Sequence, residues 1–201
     1  MTKRGRPRNF DRTAALEKAM YLFWNQGFDC TSMPDLVREM KINSPSIYAA
    51  FGSKEKLFLE AVEHYAEAEK EPIWGKFEGN VSAFDAICSM LVASANAFTR
   101  SDKPNGCLVI LGALTAEGGN QSVRAELQTR RAVCLKLIEG RLKRAIEEGE
   151  LRAEIDTQGL ATFFLSVQQG MSVQARDGSS REALLAAAEF AMAGWDQLRC
   201  S

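Results

Sequence analysis

Histidine and cysteine are where catalytic or metal chemistry would show first, and this sequence offers little of either. His64 is the single histidine. A histidine-based metal cluster is therefore excluded, and a Ser-His-Asp or Cys-His nucleophile would depend on one residue expected on a solvent-facing helix. The five cysteines (Cys30, Cys88, Cys107, Cys134 and Cys200) stand singly, with no C-x-x-C pair. Such a set reads as reduced thiols packed as small hydrophobes rather than a disulfide framework, with a thiol sensor or a soft-metal site as the other reading. No enzyme, metal or cofactor is expected.

Binding chemistry gathers near the N-terminus instead. In residues 1–12, Lys3, Arg4, Arg6, Arg8 and Arg12 face only Asp11. The formal net charge of −1 hides an asymmetry: residues 1–60 hold ten Lys/Arg against seven Asp/Glu, residues 61–201 fifteen against nineteen. A basic arm before a near-neutral body suits a phosphate-binding module, or a merely solvated start. Further on, Asn43, Ser44, Pro45 and Ser46 are short, Tyr48 and Lys54 follow, and Thr31 lies upstream. Hydroxyls and a cation so placed suit phosphate oxygens. Short side chains at a helix start allow close approach to base edges. Taken singly, Tyr48 reads as well as a core aromatic, and Lys54 as a solvated charge.

The elements that must position these residues are helices. Leu16, Ala19, Met20 and Phe23 recur at helical spacing, with Asp11 as N-cap and Gly27 as stop. Ser32 and Asp35 form a capping box ahead of Leu36, Val37 and Met40. Lys41 to Asn43 reads as a tight turn, and Ser44 caps a second short helix with Pro45 at its first position. Gly52 ends it, and Ser53 caps a longer helix running towards Pro72. Two short helices joined by a three-residue turn and braced by a preceding helix describe a helix-turn-helix.

The rest continues in kind. Phe84 to Phe98 makes one amphipathic stripe, and the apolar stretch Gly106 to Leu114 is expected at the centre of its domain. A long helix runs from Ser122 to about Glu148, another carries Leu160 to Met171, and a last one carries Leu184 to Leu198. With no strand alternation or repeat, the expectation is an all-α protein of about nine helices. It divides into residues 1–55 and 56–201. The longest apolar run, Cys107 to Leu114, is far short of the ~20 residues of a membrane span. The basic start has no apolar segment behind it, so no secretory signal is expected and the cytoplasm is the simplest compartment.

The segments Gly27 to Leu36 and Ile42 to Leu57 together resemble the DNA-binding domain of the TetR/AcrR repressors. They show its Gly, its Thr four residues on, and its Tyr–Phe–Lys–Glu–Leu pattern. Ala49-Ala50 departs from the bulky polar residue many members carry there, and Lys41 stands where a Gly is frequent. The resemblance implies that Thr31, Tyr48 and Lys54 hold the DNA backbone. It places Ser44, Pro45 and Ser46 at base edges with Asn43 nearby, and Arg4, Arg6 and Arg8 in or beside a minor groove. It implies a homodimer on a palindromic operator, released by a small-molecule effector. Activation, or thiol control through Cys30 or Cys107, is the alternative on the same fold. An all-α enzyme would need acid–base residues that the apolar stripes lack.

Two further expectations concern the second half. Leu184, Ala188, Ala191 and Trp195 form a seam with small residues suited to dimerisation, or else to packing inside their own subunit. Phe98, Cys107, Leu111, Phe163, Val167, Gln168 and Met171 lie on helices that would enclose a ligand cavity, and read equally as ordinary core. A buried amide such as Gln168 needs partners that a ligand can supply.

Overall fold

The computed structural model describes residues 10–113 and 120–200, and among these the chain forms nine α-helices. They are α1 (Arg12–Cys30), α2 (Met33–Met40), α3 (Ser44–Phe51), α4 (Lys54–Trp74), α5 (Ala83–Phe98), α6 (Leu108–Leu111), α7 (Gln121–Glu147), α8 (Thr157–Arg176) and α9 (Arg181–Met192). The expected caps form. Asp11 accepts from the N–H groups of Thr13 and Ala14 at 2.9 and 3.2 Å. Ser32 and Asp35 make the reciprocal capping box, which with Arg38 holds the Asp35 carboxyl down at about 2. The cap of α3 is one residue earlier than expected. Asn43, not Ser44, accepts from the Ser46 N–H at 2.9 Å, because an amide oxygen at this position reaches the third amide of the helix.

Two apolar cores result. The first joins α1 to α4 around Phe23, Leu36, Ile47 and Phe58, and is completed by Leu108, Val123 and Leu127 from α6 and α7. Phe23 and Phe58 meet edge-on at 5.1 Å, and truncating one such buried ring costs about 3–5 kcal/mol. The second core packs α5, α7, α8 and α9 around Met90, Leu91, Leu142 and Phe164. α4 serves both, giving Tyr65 to the first and Ile73 to the second. The expected division after residue 55 thus falls within the first turn of α4.

The expected dimer seam needs correction. Leu184, Ala188 and Trp195 are each 3% exposed and belong to the subunit's own second core, with Ala191 packed against it. The last helix stops at Met192. A short 3-10 turn, Trp195–Leu198, then swings the indole inward against Phe84 and Phe164, with ring centres at 5.7 and 5.9 Å. What α9 leaves outside is Phe190, 80% exposed, and α8 likewise leaves Phe163 and Val173 exposed. No described helix is long and apolar enough to cross a membrane.

An ion pair between the buried Arg141 and the part-exposed Glu150 fixes the second core at one end. The guanidinium of Arg141 donates to the Val81 carbonyl at 2.8 Å and to the Glu150 carboxylate, and Glu150 also accepts the Ala83 N–H at 2.7 Å at the start of α5. Burial alone would raise the Glu150 pKa, but the Ala83 N–H and Arg141 outweigh it and hold it below 4.5. A carboxylate with a depressed folded pKa stabilises fully above its unfolded value, and that contribution fades as pH falls through the folded one. Glu150→Gln is expected to lose about 2–3 kcal/mol at neutral pH, less than a full buried pair because Glu148 remains 3.2 Å from Arg141. The deficit should shrink on acidification; urea melts at pH 7 and pH 4 check both.

Candidate nucleic-acid interface and ligand cavity

α3 is held from behind by Ile47 and Phe51, 1% and 3% exposed. Its other side presents Pro45, Tyr48 and Ala49 to solvent, with Ser44 and Ser46 half-buried and Asn43 exposed just ahead. Tyr48 is 48% exposed, so the core-aromatic reading does not hold. Apart from that phenol the face is short, which lets a helix lie deep in a groove. Lys41 turns the chain into α3 in the left-handed region, at φ 58°, a conformation that favours glycine. It and Lys56 are exposed on either side of α3. They are cations that the sequence pattern did not single out.

The remaining predicted contacts divide. Lys54 opens α4 with its ammonium 4.2 Å from the centre of the Phe28 ring, and partial burial lowers its pKa against the opposing charge of Asp29. Thr31 requires correction: it is 1% exposed, and its hydroxyl donates to the Gly27 carbonyl at 2.7 Å, so it is not free for a phosphate. Arg4, Arg6 and Arg8 lie outside the described residues. Arg12 is not a loose cation either. It donates to Glu60 at 2.6 Å and stacks 4.4 Å over the Phe51 ring, bracing α1 against α3 and α4.

Behind this head lies a cavity of about 740 Å³ between α4, α6, α7 and α8. Of the residues expected to line it, Phe98, Cys107 and Gln168 do. Leu111, Val167 and Met171 do not, being packed in or against the second core, and Phe163 lies 47% exposed on the outer side of α8. The sequence reading missed the α4 and α7 walls, including Tyr65, Glu69, Trp74, Arg131, Cys134 and Leu137. On α7 the charged residues interrupt the apolar period, so no stripe marks the wall. Gln168 is buried and donates to Ser94 at 2.9 Å. Burial pushes both cavity thiols up, Cys107 despite its hydrogen bond with Tyr65, and Cys134 to about 11. Thiols so protonated are poor nucleophiles.

Head and cavity meet at a break in α1. Gly27 leaves the helix at φ 78°, and the Phe28 N–H bonds the Gly112 carbonyl just after α6 at 2.9 Å. From the end of α8, Arg176 donates to the carbonyls of Trp24, Asn25 and Asn105 at 2.7, 3.0 and 3.0 Å. One turn earlier on α8, Ser172 accepts the Cys107 N–H at 2.9 Å, at the head of α6.

Comparison with known proteins fits this arrangement part by part. Residues 15–61 match the family described as bacterial regulatory proteins, tetR family, and residues 83–191 match the tetracyclin repressor-like C-terminal domain. The chain belongs to the TetR family. This TetR-family chain is 35% identical over 198 residues to the HTH-type transcriptional repressor ComR of Escherichia coli (strain K12), covering 97% of this chain and 93% of that one. It is 28% identical over 190 residues to the repressor BdcR of the same strain, covering 94% and 90%. A solved structure of a cysteine mutant of the TetR family transcriptional regulator CifR, complexed with 26 bp double-strand operator DNA, superposes with a TM-score of 0.89. It is 41% identical and covers 94% of this chain and 98% of that one. The protein is a DNA-binding transcriptional regulator and not an enzyme.

The break at Gly27 admits a direct check. An added Cβ would carry a side chain into a positive-φ conformation and stand 3.4 Å from the Gly112 carbonyl. Gly27→Ala is expected to destabilise by about 1–3 kcal/mol. Gly140, in the interior of α7 with open space around it, predicts the opposite sign: Gly140→Ala should stabilise by about 0.5–1 kcal/mol. Chemical denaturation of both variants measures the pair.

Proposed function

We propose that this TetR-family regulator is a cytoplasmic homodimeric repressor of a palindromic operator, released when a small molecule fills the cavity. Residues 1–55 read DNA, and 56–201 bind the effector and the second subunit. The observation that carries the reading is the double tie at Gly27, because it makes the cavity's roof and the DNA-reading head one mechanical unit. The repressor names of ComR and BdcR, and the operator complex of CifR, support the sign and the partner.

On the DNA, Tyr48 and Lys54 hold phosphates, while Ser44, Pro45 and Ser46 face base edges with Asn43 beside them. Arg4, Arg6 and Arg8 supply the arm to the minor groove. The Thr31 hydroxyl takes no part. Lys54→Ala should weaken binding by about 1–3 kcal/mol on operator and unrelated DNA alike, and reduce the salt slope by about one. Fluorescence titration across a salt series reads both numbers. An operator-selective loss would instead make Lys54 a base-reading residue.

The second subunit docks on the face that α8 and α9 leave uncovered, through Phe163, Val173 and Phe190 in place of the inward-facing seam. A ring 80% exposed in the monomer is a natural anchor for a partner helix. Two recognition helices must then lie about 34–36 Å apart to enter successive major grooves. Phe190→Glu would bury a like charge in each subunit near the two-fold axis, costing several kcal/mol without touching either core. Sedimentation and circular dichroism should show a folded, helical monomer with only weak, salt-sensitive DNA binding. A variant that remains dimeric places the interface elsewhere.

A further inference from the structure

Among the charged side chains that line the cavity, Arg131 is a half-buried cation with no carboxylate beside it. Arg130 bridges Glu63 at 2.6 Å and Glu126 at 2.8 Å. The buried Glu69 carboxylate is held through Oε1 by Arg100, with Lys103 at 3.9 Å, and its Oε2 has no hydrogen-bond partner among the described residues. Lys70 and Lys136 are exposed at the rim, as are the carboxylates of Glu67, Glu71 and Glu78. Arg131 lines the cavity half-buried, and its Nη1 donates to the Val109 carbonyl at 2.8 Å. Among the described residues no carboxylate lies within ion-pair distance of it. Burial lowers its pKa, yet a guanidinium stays protonated under any ordinary condition. A partly desolvated cation with no carboxylate beside it is a favourable partner for an arriving anion.

The space beside it has the matching shape. The cavity follows α4 from Glu63 to Trp74, about 16 Å at ~1.5 Å per residue. Ile73, Trp74, Phe98, Leu137 and Leu165 make the apolar sleeve. Glu69 opposes an anion only weakly, because Arg100 and Lys103 already offset its charge. A cationic guest lying beside Arg131 would meet a like charge, and an uncharged one would leave the guanidinium without an ion partner.

We propose that the effector site takes an elongated amphiphilic monocarboxylate, its carboxylate forked on Arg131 and its hydrocarbon body lying along the sleeve towards Trp74. This rests on the reading of the cavity as the effector site. A carboxylate matches the planar donor fork of arginine in two parallel hydrogen bonds, which selects it over other head groups.

Isothermal titration of the full-length protein without DNA tests the assignment with three probes of equal length: decanoate, decan-1-ol and decyltrimethylammonium. Decanoate should bind at least tenfold tighter than either of the others. Arg131→Gln should bring decanoate to the affinity of the alcohol while leaving the alcohol unchanged, with circular dichroism to verify the fold. If that variant fails to fold, the ranking of the probes on the wild type decides. Equal binding of acid and alcohol, tighter binding of the cation, no binding of any probe, or an unchanged Arg131→Gln overturns the proposal. Operator release is read separately by fluorescence anisotropy. Decanoate that binds without releasing DNA refutes the effector reading and leaves the carboxylate assignment standing. Release by a non-carboxylate that decanoate neither mimics nor competes with does the reverse.

Discussion

In an unbroken helix the Phe28 N–H would bond the Trp24 carbonyl. Gly27 removes that bond, and both halves of it are satisfied by the other half of the protein. The amide goes to the Gly112 carbonyl behind α6, and the carbonyl goes to Arg176 at the end of α8. An unpaired buried peptide group costs on the order of 1–3 kcal/mol, so neither partner can withdraw without leaving a debt. Among the described residues Arg176 pairs with carbonyls and not with a carboxylate. Its cation faces the carbonyl end of α1, where the helix dipole is negative. The DNA-reading head is therefore tied to the rest by backbone hydrogen bonds at the one point where α1 is not a helix.

That geometry explains why α4 alone does not define the relation between the two parts. α4 runs through both cores as a rigid rod, but a rod leaves rotation about its own axis open. The ties at Gly27 sit off that axis. Together with the Arg12–Glu60 pair and the stacking of Arg12 on Phe51, they fix how α3 is presented. A displacement of α6 by a guest in the cavity moves Gly112 and so the head. On the function proposed here, effector and operator are linked through that one displacement, and each must weaken the other to the same degree.

Local chemistry was legible in the sequence, and the choice between faces was not. The caps at Asp11, Ser32 and Ser53, the stops at Gly27 and Gly52, and the helix-turn-helix itself rest on neighbours in sequence, and all appear in the fold. Asn43 and Ser44 are both good N-caps, so a one-residue error there is inherent in the pattern. Thr31 looked like a free hydroxyl because its acceptor exists only once Gly27 has turned its carbonyl back. Leu184, Ala188 and Trp195 have the spacing of a seam, but periodicity marks an apolar face without saying whose core it enters. The outward Phe190 sits in a stretch of alanines and gives no periodic signal. The cavity walls on α7 were hidden for a related reason: Arg131 and Lys136 alternate with Val133 and Leu137, and only the fold shows which of them turn inward.

α8 shows how much one helix can be made to do. Its inward residues Phe164 and Met171 build the second core. Gln168 turns to the cavity, Ser172 holds the start of α6, and Arg176 reaches α1. Gln168, Ser172 and Arg176 are four residues apart, so they fall on one stripe of the helix and drift slowly around it. That stripe runs from ligand cavity to DNA-reading head in two turns. Phe163 and Val173 lie outside it and face solvent in the subunit. A partner docked there would press on the opposite side of the same helix. On the function proposed here, a shift of α8 would reach the cavity, the Gly27 ties and the distance between two recognition helices together. The coupling needs no separate relay, because a rigid helix with a 3.6-residue period already places those groups in line.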